Sequence, residues 1–368
     1  MAFHESPFMV DIDFSEKDLD SDLPKIGWVC TYTPEEVIHA AGFHPFRILE
    51  ETPSTKLADT YLHNNVCPYA RSCLDFGLKA EDPTLKGIVI VHSCDAMRGL
   101  YHSWQHYVSA TPFVHFMNVP KNSGSLAIEY FTQEVRKLRA ALETHINRTI
   151  EDSALWEAID LYNESRSLMA EIYELRKSLE LQIKGTTVFK VIQASQKMSR
   201  ESFNQKLKSF LEEIKNKETK TTPSQGPRIM IVGSLLSGSQ IIELVEDAGA
   251  SVVCDDLCSG SRYFEGNVEK GDDPIKAINS RYLLKAPCAR MKNTELRLER
   301  GKKLAKDFQV DGIIYQTVKF CDNHLYDYPL YHEFFQDAGL PVLQIEEDFV
   351  GGNRGQIRTR VEAFIEML

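Results

Sequence analysis

Short, continuous apolar runs are the feature that most limits how this 368-residue chain can fold. The clearest run is residues 87–91 (GIVIV), and similar runs occur at 228–232 and 251–254. Unbroken apolar strands of this length are typical of parallel sheets, which are buried on both faces. An amphipathic helix is predicted to begin near Asp95, directly after the first run. Strands that alternate with helices in this way indicate an α/β fold.

The predicted strands fall in two separate stretches of the chain. Residues 25–124 and 228–368 alternate strands with helices, whereas residues 125–215 carry three apolar stripes at the three- and four-residue spacing of long helices. We predict two doubly wound, Rossmann- or flavodoxin-like parallel-sheet lobes joined by a helical segment. The polar segment 216–227, which contains proline and glycine, is predicted to be a linker, and residues 1–24 an acidic N-terminal tail.

Composition and charge exclude several classes of partner. The net charge is −11, and no cluster of Lys and Arg indicates a surface for nucleic acid or anionic membrane. No apolar stretch approaches the ~18 residues of a membrane span, and the N-terminus has acids where a signal peptide has basic residues. We therefore expect a cytoplasmic protein. In a reducing compartment, the eight cysteines suggest metal or redox chemistry rather than disulfides.

Several cysteines lie just beyond the carboxyl end of a predicted strand. Ligands bind at that edge of an open parallel sheet. Cys30 and Cys254 lie inside apolar, strand-like runs and are interpreted as buried structural residues. The others lie in polar, turn-rich segments and are the candidate metal ligands: Cys67, Cys94, Cys321, Cys258, Cys288 and Cys73.

The residues around these cysteines favour the thiolate form that binds metal. Pro68 suits the first position of a helix, which places Cys67 at the N-cap, near the positive end of the helix dipole. Asp95 and Asp322 are predicted to cap the helices that follow Cys94 and Cys321. Three arginines near the thiols favour the thiolate further, although a surface salt bridge is the alternative role for each: Arg71, Arg262 and Arg290.

The cysteine spacing favours an iron–sulfur cluster over zinc. A structural zinc site normally contains close pairs such as C-x2-C, and this chain has none. Ligands spread one or two per loop are typical of a cluster held between lobes. The chain also lacks the phosphate-binding pattern G-x-x-x-x-G-K-[ST] and the dinucleotide pattern G-x-G-x-x-G, so we do not expect it to hydrolyse ATP itself.

Four stretches resemble a known family. They are residues 27–36 (GWVCTYTPEE), 93–101 (SCDAMRGLY), 320–322 (FCD) and 355–364 (GQIRTRVEAF). Over nearly its whole length the chain resembles the subunits of 2-hydroxyacyl-CoA dehydratases and benzoyl-CoA reductases, together with their relatives, the double-cubane cluster proteins. In the dehydratases three cysteines hold one [4Fe-4S] cluster, and the matching positions here are Cys67, Cys94 and Cys321. The resemblance implies an iron–sulfur partner ATPase as electron donor.

Three further cysteines depart from the dehydratase pattern. The segments that contain Cys73, Cys258 and Cys288 read CPYARSC, DDLCSGSRY and PCARM, and they resemble those of the double-cubane proteins. In those proteins six thiolates hold two cubes that share a bridging sulfide. The resemblance therefore implies a homodimeric, ATP-dependent reductase with an [8Fe-9S] double cubane, acting on a small substrate.

Two alternatives remain open from the sequence. One is a [4Fe-4S] subunit of a 2-hydroxyacyl-CoA dehydratase or benzoyl-CoA reductase. It would work as a heterodimer with a homologous chain and act on acyl-CoA thioesters through a ketyl radical. The other is a non-catalytic electron-transfer or scaffold protein.

Overall fold

A computed structural model describes residues 23–51, 53–179, 183–216, 226–349 and 354–368. Most of the predicted acidic tail and most of the predicted linker lie outside the described residues. The proposed domain boundaries therefore stay predictions.

The first sheet is formed by four parallel strands. They are β1 (Lys25–Trp28), β2 (His44–Arg47), β3 (Leu85–His92) and β4 (Phe113–Asn118), in the order β2-β1-β3-β4. The chain starts at an inner strand, moves to one edge and then crosses to the other, which is the doubly wound pattern. Three helices connect these strands: α1 (Glu35–Ala40), α2 (Pro68–Lys79) and α3 (Asp95–Tyr107).

The second sheet repeats this topology. Strands β5 (Arg228–Gly233), β6 (Ser251–Asp256), β7 (Gly312–Val318) and β8 (Val342–Glu347) are all parallel, in the order β6-β5-β7-β8. The prediction of two doubly wound α/β lobes is confirmed. The helices that follow β5 are α8 (Gln240–Asp247), α9 (Ser261–Phe264), α10 (Pro274–Leu284), α11 (Thr294–Asp307), α12 (Asp322–Asp337) and α13 (Arg354–Glu366).

Long helices lie between the two sheets in the chain, as predicted. The three apolar stripes correspond to α4 (Ser125–Ile146), α5 (Asp152–Leu175) and α7 (Arg200–Asn216). A further helix, α6 (Gly185–Ser195), lies inside the predicted helical segment, although no apolar stripe was predicted for it. Among the helices that the structure describes, none combines the length and apolar character that a membrane span requires.

A buried ionic network joins the first lobe to the helices. Glu36 of α1 forms an ion pair with Arg166 of α5, and both side chains are almost completely buried. The Tyr282 hydroxyl on α10 donates a hydrogen bond to Glu36 at 2.9 Å. Burial alone would raise the pKa of Glu36, but Arg166 and other neighbouring positive charges hold it below its usual value. Glu36 is therefore a carboxylate in the folded protein at neutral pH.

Gly233 ends β5 in a conformation that only glycine adopts without strain. Its φ is +119°, and a Cβ atom there would lie 1.9 Å from the backbone oxygen of Gln316 on β7. We expect Gly233→Ala to lower the free energy of unfolding by about 3 kcal/mol, measured by urea denaturation. Gly249→Ala is the matched control, because Gly249 also has a positive φ but has no atom within 4 Å of the added Cβ. Equal decreases in the free energy of unfolding of the two variants would contradict the predicted clash.

Candidate functional site

Loops at the carboxyl ends of both sheets carry the cysteines. Cys30 and Cys94 follow β1 and β3 of the first sheet, whereas Cys258 and Cys321 follow β6 and β7 of the second. The positions of Cys94, Cys258 and Cys321 agree with the sequence prediction. Cys30 was expected inside a strand, but β1 ends at Trp28 and Cys30 lies in the loop beyond it. The candidate site therefore includes a cysteine that sequence reasoning had assigned a structural role.

Three of the eight cysteines lie at the start of a helix. Cys67, Cys94 and Cys321 occupy the N-cap positions of α2, α3 and α12. The prediction that Pro68 takes the first helical position and Cys67 the N-cap is confirmed. The prediction that Asp95 and Asp322 are caps is wrong, because the preceding cysteine takes that position and each aspartate is the first helical residue. Helix N-termini stabilise negative charge, so this placement opposes the effect of burial on each thiol and helps to hold it as a thiolate once a metal is bound.

The thiols of the two lobes are close enough to influence one another. Burial raises the pKa of Cys321, and the charges of Cys67, Cys288 and Cys94 raise it further. Burial likewise raises the pKa of Cys94 to about 12, with contributions from Cys67 and Cys30. These mutual effects are those expected of several potential anions in one enclosed place.

A second set of thiols adjoins the first. Burial raises the pKa of Cys30, and the charges of Cys288 and Cys258 contribute to the rise. For the argument we divide the six into two trios, Cys67 with Cys94 and Cys321, and Cys30 with Cys258 and Cys288. Electrostatic influence also crosses between the trios, through Cys288 with Cys321 and through Cys30 with Cys94. We call these residues together the cysteine group: Cys67, Cys94, Cys321, Cys30, Cys258 and Cys288.

The remaining two cysteines lie in packed surroundings. Cys254 is inside β6 with no exposed surface, which agrees with its predicted structural role. Cys73 lies inside α2 and is 1% exposed, and its sulfur is 3.6 Å from the backbone oxygen of Ile48. Cys73 remains within the electrostatic influence of Cys67, so its role as a ligand stays a prediction. Cys30 and Cys73 are therefore competing candidates for one place in the ligand set.

Buried basic residues surround the cysteine group. Lys285 donates a hydrogen bond to the backbone oxygen of Thr31 at 2.5 Å; burial lowers the pKa of Lys285 well below its usual value, and the charges of Cys30 and Cys258 act in the opposite direction. Arg290 donates to the backbone oxygens of Ser93, Val119 and Pro120 at 2.9 to 3.0 Å. In the described part of the chain, neither side chain has a carboxylate partner. The buried positive charge of Arg290 therefore suits a site that holds a negatively charged group.

The three arginines predicted to lie near the thiols do so in the structure. Arg71 lowers the pKa of Cys67, although burial still leaves that pKa above its usual value, and Arg71 also pairs with Asp59 at 2.5 Å. Arg262 lies within the influence of Cys258 and Cys288 and pairs with Asp256 at 3.2 Å. Arg290 connects the segment that contains Cys288 to the segment that contains Cys94, through its hydrogen bond to the backbone oxygen of Ser93. All three arginine side chains are buried, although Asp59, the partner of Arg71, is exposed.

The donor set fits an iron–sulfur cluster. Within the residues that the structure describes, no three Cys, His, Asp or Glu side chains are arranged to hold one metal ion. A cluster distributes its ligands over several irons, so its thiolates need not converge on a single point. Six thiols, three helix N-termini and buried cations together suit an anionic, thiolate-bound group.

Comparisons with known proteins identify the family of the chain. The chain belongs to the family described as 2-hydroxyglutaryl-CoA dehydratase, D-component, whose profile matches residues 30–368. It is 28% identical over 347 residues to the (R)-phenyllactyl-CoA dehydratase beta subunit of Clostridium sporogenes, covering 93% of this chain and 91% of the relative. It is 28% identical to the beta subunit of lactoyl-CoA dehydratase of Anaerotignum propionicum, with 93% and 91% covered.

A reductase is also represented among the relatives. One of the subunits of the benzoyl-CoA reductase of Thauera aromatica is 25% identical over 370 residues, covering 97% of this chain and 95% of the relative. The relatives thus include subunits of dehydratases and of a reductase, which supports an enzyme. The particular reaction is not determined at this level of identity.

Proposed function

We propose that this protein is the iron–sulfur catalytic component of an ATP-dependent, low-potential reductase, with a double-cubane [8Fe-9S] cluster held by the cysteine group. The observation that carries the proposal is that six thiols, drawn from both lobes, lie within electrostatic influence of one another, four of them just beyond the carboxyl ends of strands. Cys67, Cys94 and Cys321 would hold one cube. Cys258 and Cys288, with Cys30 in preference to Cys73, would hold the other.

The chain's own residues prepare the site for such a cluster. When bound, the cluster supplies electrons at low potential to a substrate. The N-termini of α2, α3 and α12 and the buried Arg290 offset the negative charge that thiolate ligands bring. The apolar residues packed around Cys67, Cys94, Cys258 and Cys321 limit contact with water, and low exposure is one of the determinants of a cluster's potential.

We further propose that the electron donor is a separate iron–sulfur ATPase and that the chain forms a homodimer. The family resemblance supports a donor of this kind. The absence of a Walker-type phosphate loop from the sequence agrees with ATP hydrolysis on another protein.

A second candidate function is a [4Fe-4S] subunit of a 2-hydroxyacyl-CoA dehydratase or benzoyl-CoA reductase, paired with a homologous chain. The relatives described above favour it, because their names describe enzymes that act on acyl-CoA thioesters. This candidate requires only one trio of ligands. It assigns no role to the other three thiols of the cysteine group.

The two functions are tested by supplying electrons and offering two kinds of acceptor. The anaerobically purified protein would be mixed with ATP, a reductant and an ATPase that activates enzymes of this family. Bleaching of the protein's visible absorbance would then be followed. The proposed reductase should bleach only with ATP and recover its colour with a small unsaturated acceptor such as acetylene, with ethylene as product. Turnover of (R)-phenyllactyl-CoA or lactoyl-CoA, with no reaction of acetylene, would instead support the dehydratase.

Replacement of single cysteines distinguishes Cys30 from Cys73 as the sixth ligand. We expect Cys30→Ser to lose about half of the bound iron, because one cube would lack a thiolate. Cys73→Ser should retain its iron, because the Cys73 sulfur already contacts the backbone oxygen of Ile48. Iron and acid-labile sulfide per chain are the measurements. The reverse result, with iron lost only from Cys73→Ser, would restore the assignment made from the sequence.

A further inference from the structure

Arg47 is the cation with a direct contact to a sulfur of the cysteine group. It is the last residue of β2 in the first lobe, and its buried side chain reaches the loop after β6 in the second lobe. One guanidinium nitrogen donates a hydrogen bond to the backbone oxygen of Cys258 at 2.9 Å. The other lies 3.8 Å from the Cys258 sulfur, which is within reach of an N–H···S hydrogen bond.

No carboxylate pairs with Arg47 among the residues that the structure describes. Its side chain also contacts the Gln196 side-chain oxygen at 3.3 Å, the face of the Trp28 ring at 5.1 Å and the Tyr69 hydroxyl. Its Nε atom is buried and has no hydrogen-bond partner. The neighbouring Tyr69 hydroxyl is a neutral phenol, because burial raises the pKa of Tyr69 well above its usual value.

Three other buried arginines have a carboxylate partner: Arg166, Arg200 and Arg262 each form an ion pair with a buried carboxylate. Arg176 and Arg290 are instead bonded to backbone oxygens. A buried guanidinium without such a partner is costly unless another anion compensates it. Cys258 is the contacting residue of Arg47 that can become an anion, by losing its thiol proton to bind metal.

We propose that Arg47 is a positioning residue for the Cys258 thiolate, and that its positive charge raises the reduction potential of the cluster that Cys258 binds. This inference rests on the proposed iron–sulfur site. Reduction adds one negative charge to a cluster, and a cation beside a ligand sulfur stabilises that charge. Hydrogen bonds to the ligand sulfurs and local charge are recognised determinants of cluster potential.

A purely structural role for Arg47 makes a different prediction. The bond to the Cys258 backbone oxygen would by itself connect the two lobes, whatever the sulfur binds. Loss of that bond would lower stability but would not change the electron affinity of a cluster that still assembles. The reduction potential therefore separates the two roles.

The test compares four proteins purified without oxygen: wild type, Arg47→Met, Arg47→Lys and Arg176→Met. Arg176 is the matched control, because it is buried and bonded to the backbone oxygen of Val252, and it adjoins the structural Cys254. Iron, acid-labile sulfide and the melting temperature are measured first. The midpoint potential is then measured by redox titration followed by electron paramagnetic resonance.

We expect Arg47→Met to have a more negative midpoint potential than wild type, Arg47→Lys to lie between them, and Arg176→Met to match wild type. Arg47→Met with an unchanged potential would overturn the proposal, as would an equal shift in Arg176→Met. If Arg47→Met holds no iron, Arg47→Lys must still hold clusters with a lowered potential. An iron-free Arg47→Lys beside an iron-loaded Arg176→Met would overturn the charge role. Absence of iron from wild type would instead mean that the proposed function has failed.

Discussion

Cys94→Ser is expected to lose about half or more of its iron and sulfide when purified without oxygen. Cys94 caps α3 at the carboxyl end of β3, and it is coupled electrostatically to Cys67 and Cys321 in one trio and to Cys30 in the other. Serine keeps the size and polarity of the side chain but replaces the soft thiolate that iron–sulfur clusters require. The visible absorbance of the clusters should fall in the same proportion.

Cys254→Ser is the control for this experiment. Cys254 is a fully buried cysteine of β6 that lies outside the cysteine group. It should keep its full iron content, whatever small loss of stability the buried hydroxyl causes. Circular dichroism checks that both variants are folded. Full iron in Cys94→Ser, or an equal loss of iron from both variants, would contradict the assignment.

Arg166→Met is expected to lower the free energy of unfolding at pH 7 by about 3 to 5 kcal/mol. The substitution leaves Glu36 buried at the junction of α1, α5 and α10 without its main ion-pair partner. In wild type the pKa of Glu36 is lowered, so the ion pair contributes stability above the unfolded-state pKa. That contribution is lost as the pH falls through the folded-state pKa.

The pH dependence gives this prediction a second signature. Without Arg166, burial should raise the pKa of Glu36, so the variant loses stability as the pH rises above the unfolded-state value. The difference between variant and wild type should therefore shrink below about pH 4. Adding Glu36→Gln to Arg166→Met removes the buried charge and should recover part of the loss. A loss that is small at pH 7, or independent of pH, would contradict the account.

The sequence predicted the fold well because its strongest signal, the unbroken apolar runs, is a direct consequence of burial on both faces of a sheet. Residues 87–91 and 229–232 are buried on both faces of their sheets, which requires the unbroken apolar runs that identified them. Edge strands gave weaker signals. Residues 46–49 (FRIL) predict a strand, and the observed β2 begins and ends two residues earlier. Helix α6 lies in the predicted helical segment but shows no clear apolar stripe in its sequence; its β-branched residues favour a strand, and it packs against β6 and α8.

The candidate site was predicted less completely. Cys30 looked like a core residue because the residues before it are apolar, and only the end of β1 at Trp28 places it in the loop with the other cysteines. Arg47 and Lys285 were missed because nothing in their local sequence links them to Cys258 or Cys30. Residues 211 apart meet only when the two sheets are placed together. A site of this kind cannot be predicted from the spacing, along the sequence, of the loops that form it.

The most direct measurement is iron and acid-labile sulfide per chain in protein purified strictly without oxygen, with zinc measured on the same sample. The proposed double cubane predicts about eight irons per chain. About four irons would contradict the double cubane and support the [4Fe-4S] dehydratase or benzoyl-CoA reductase subunit. Stoichiometric zinc without iron would contradict both.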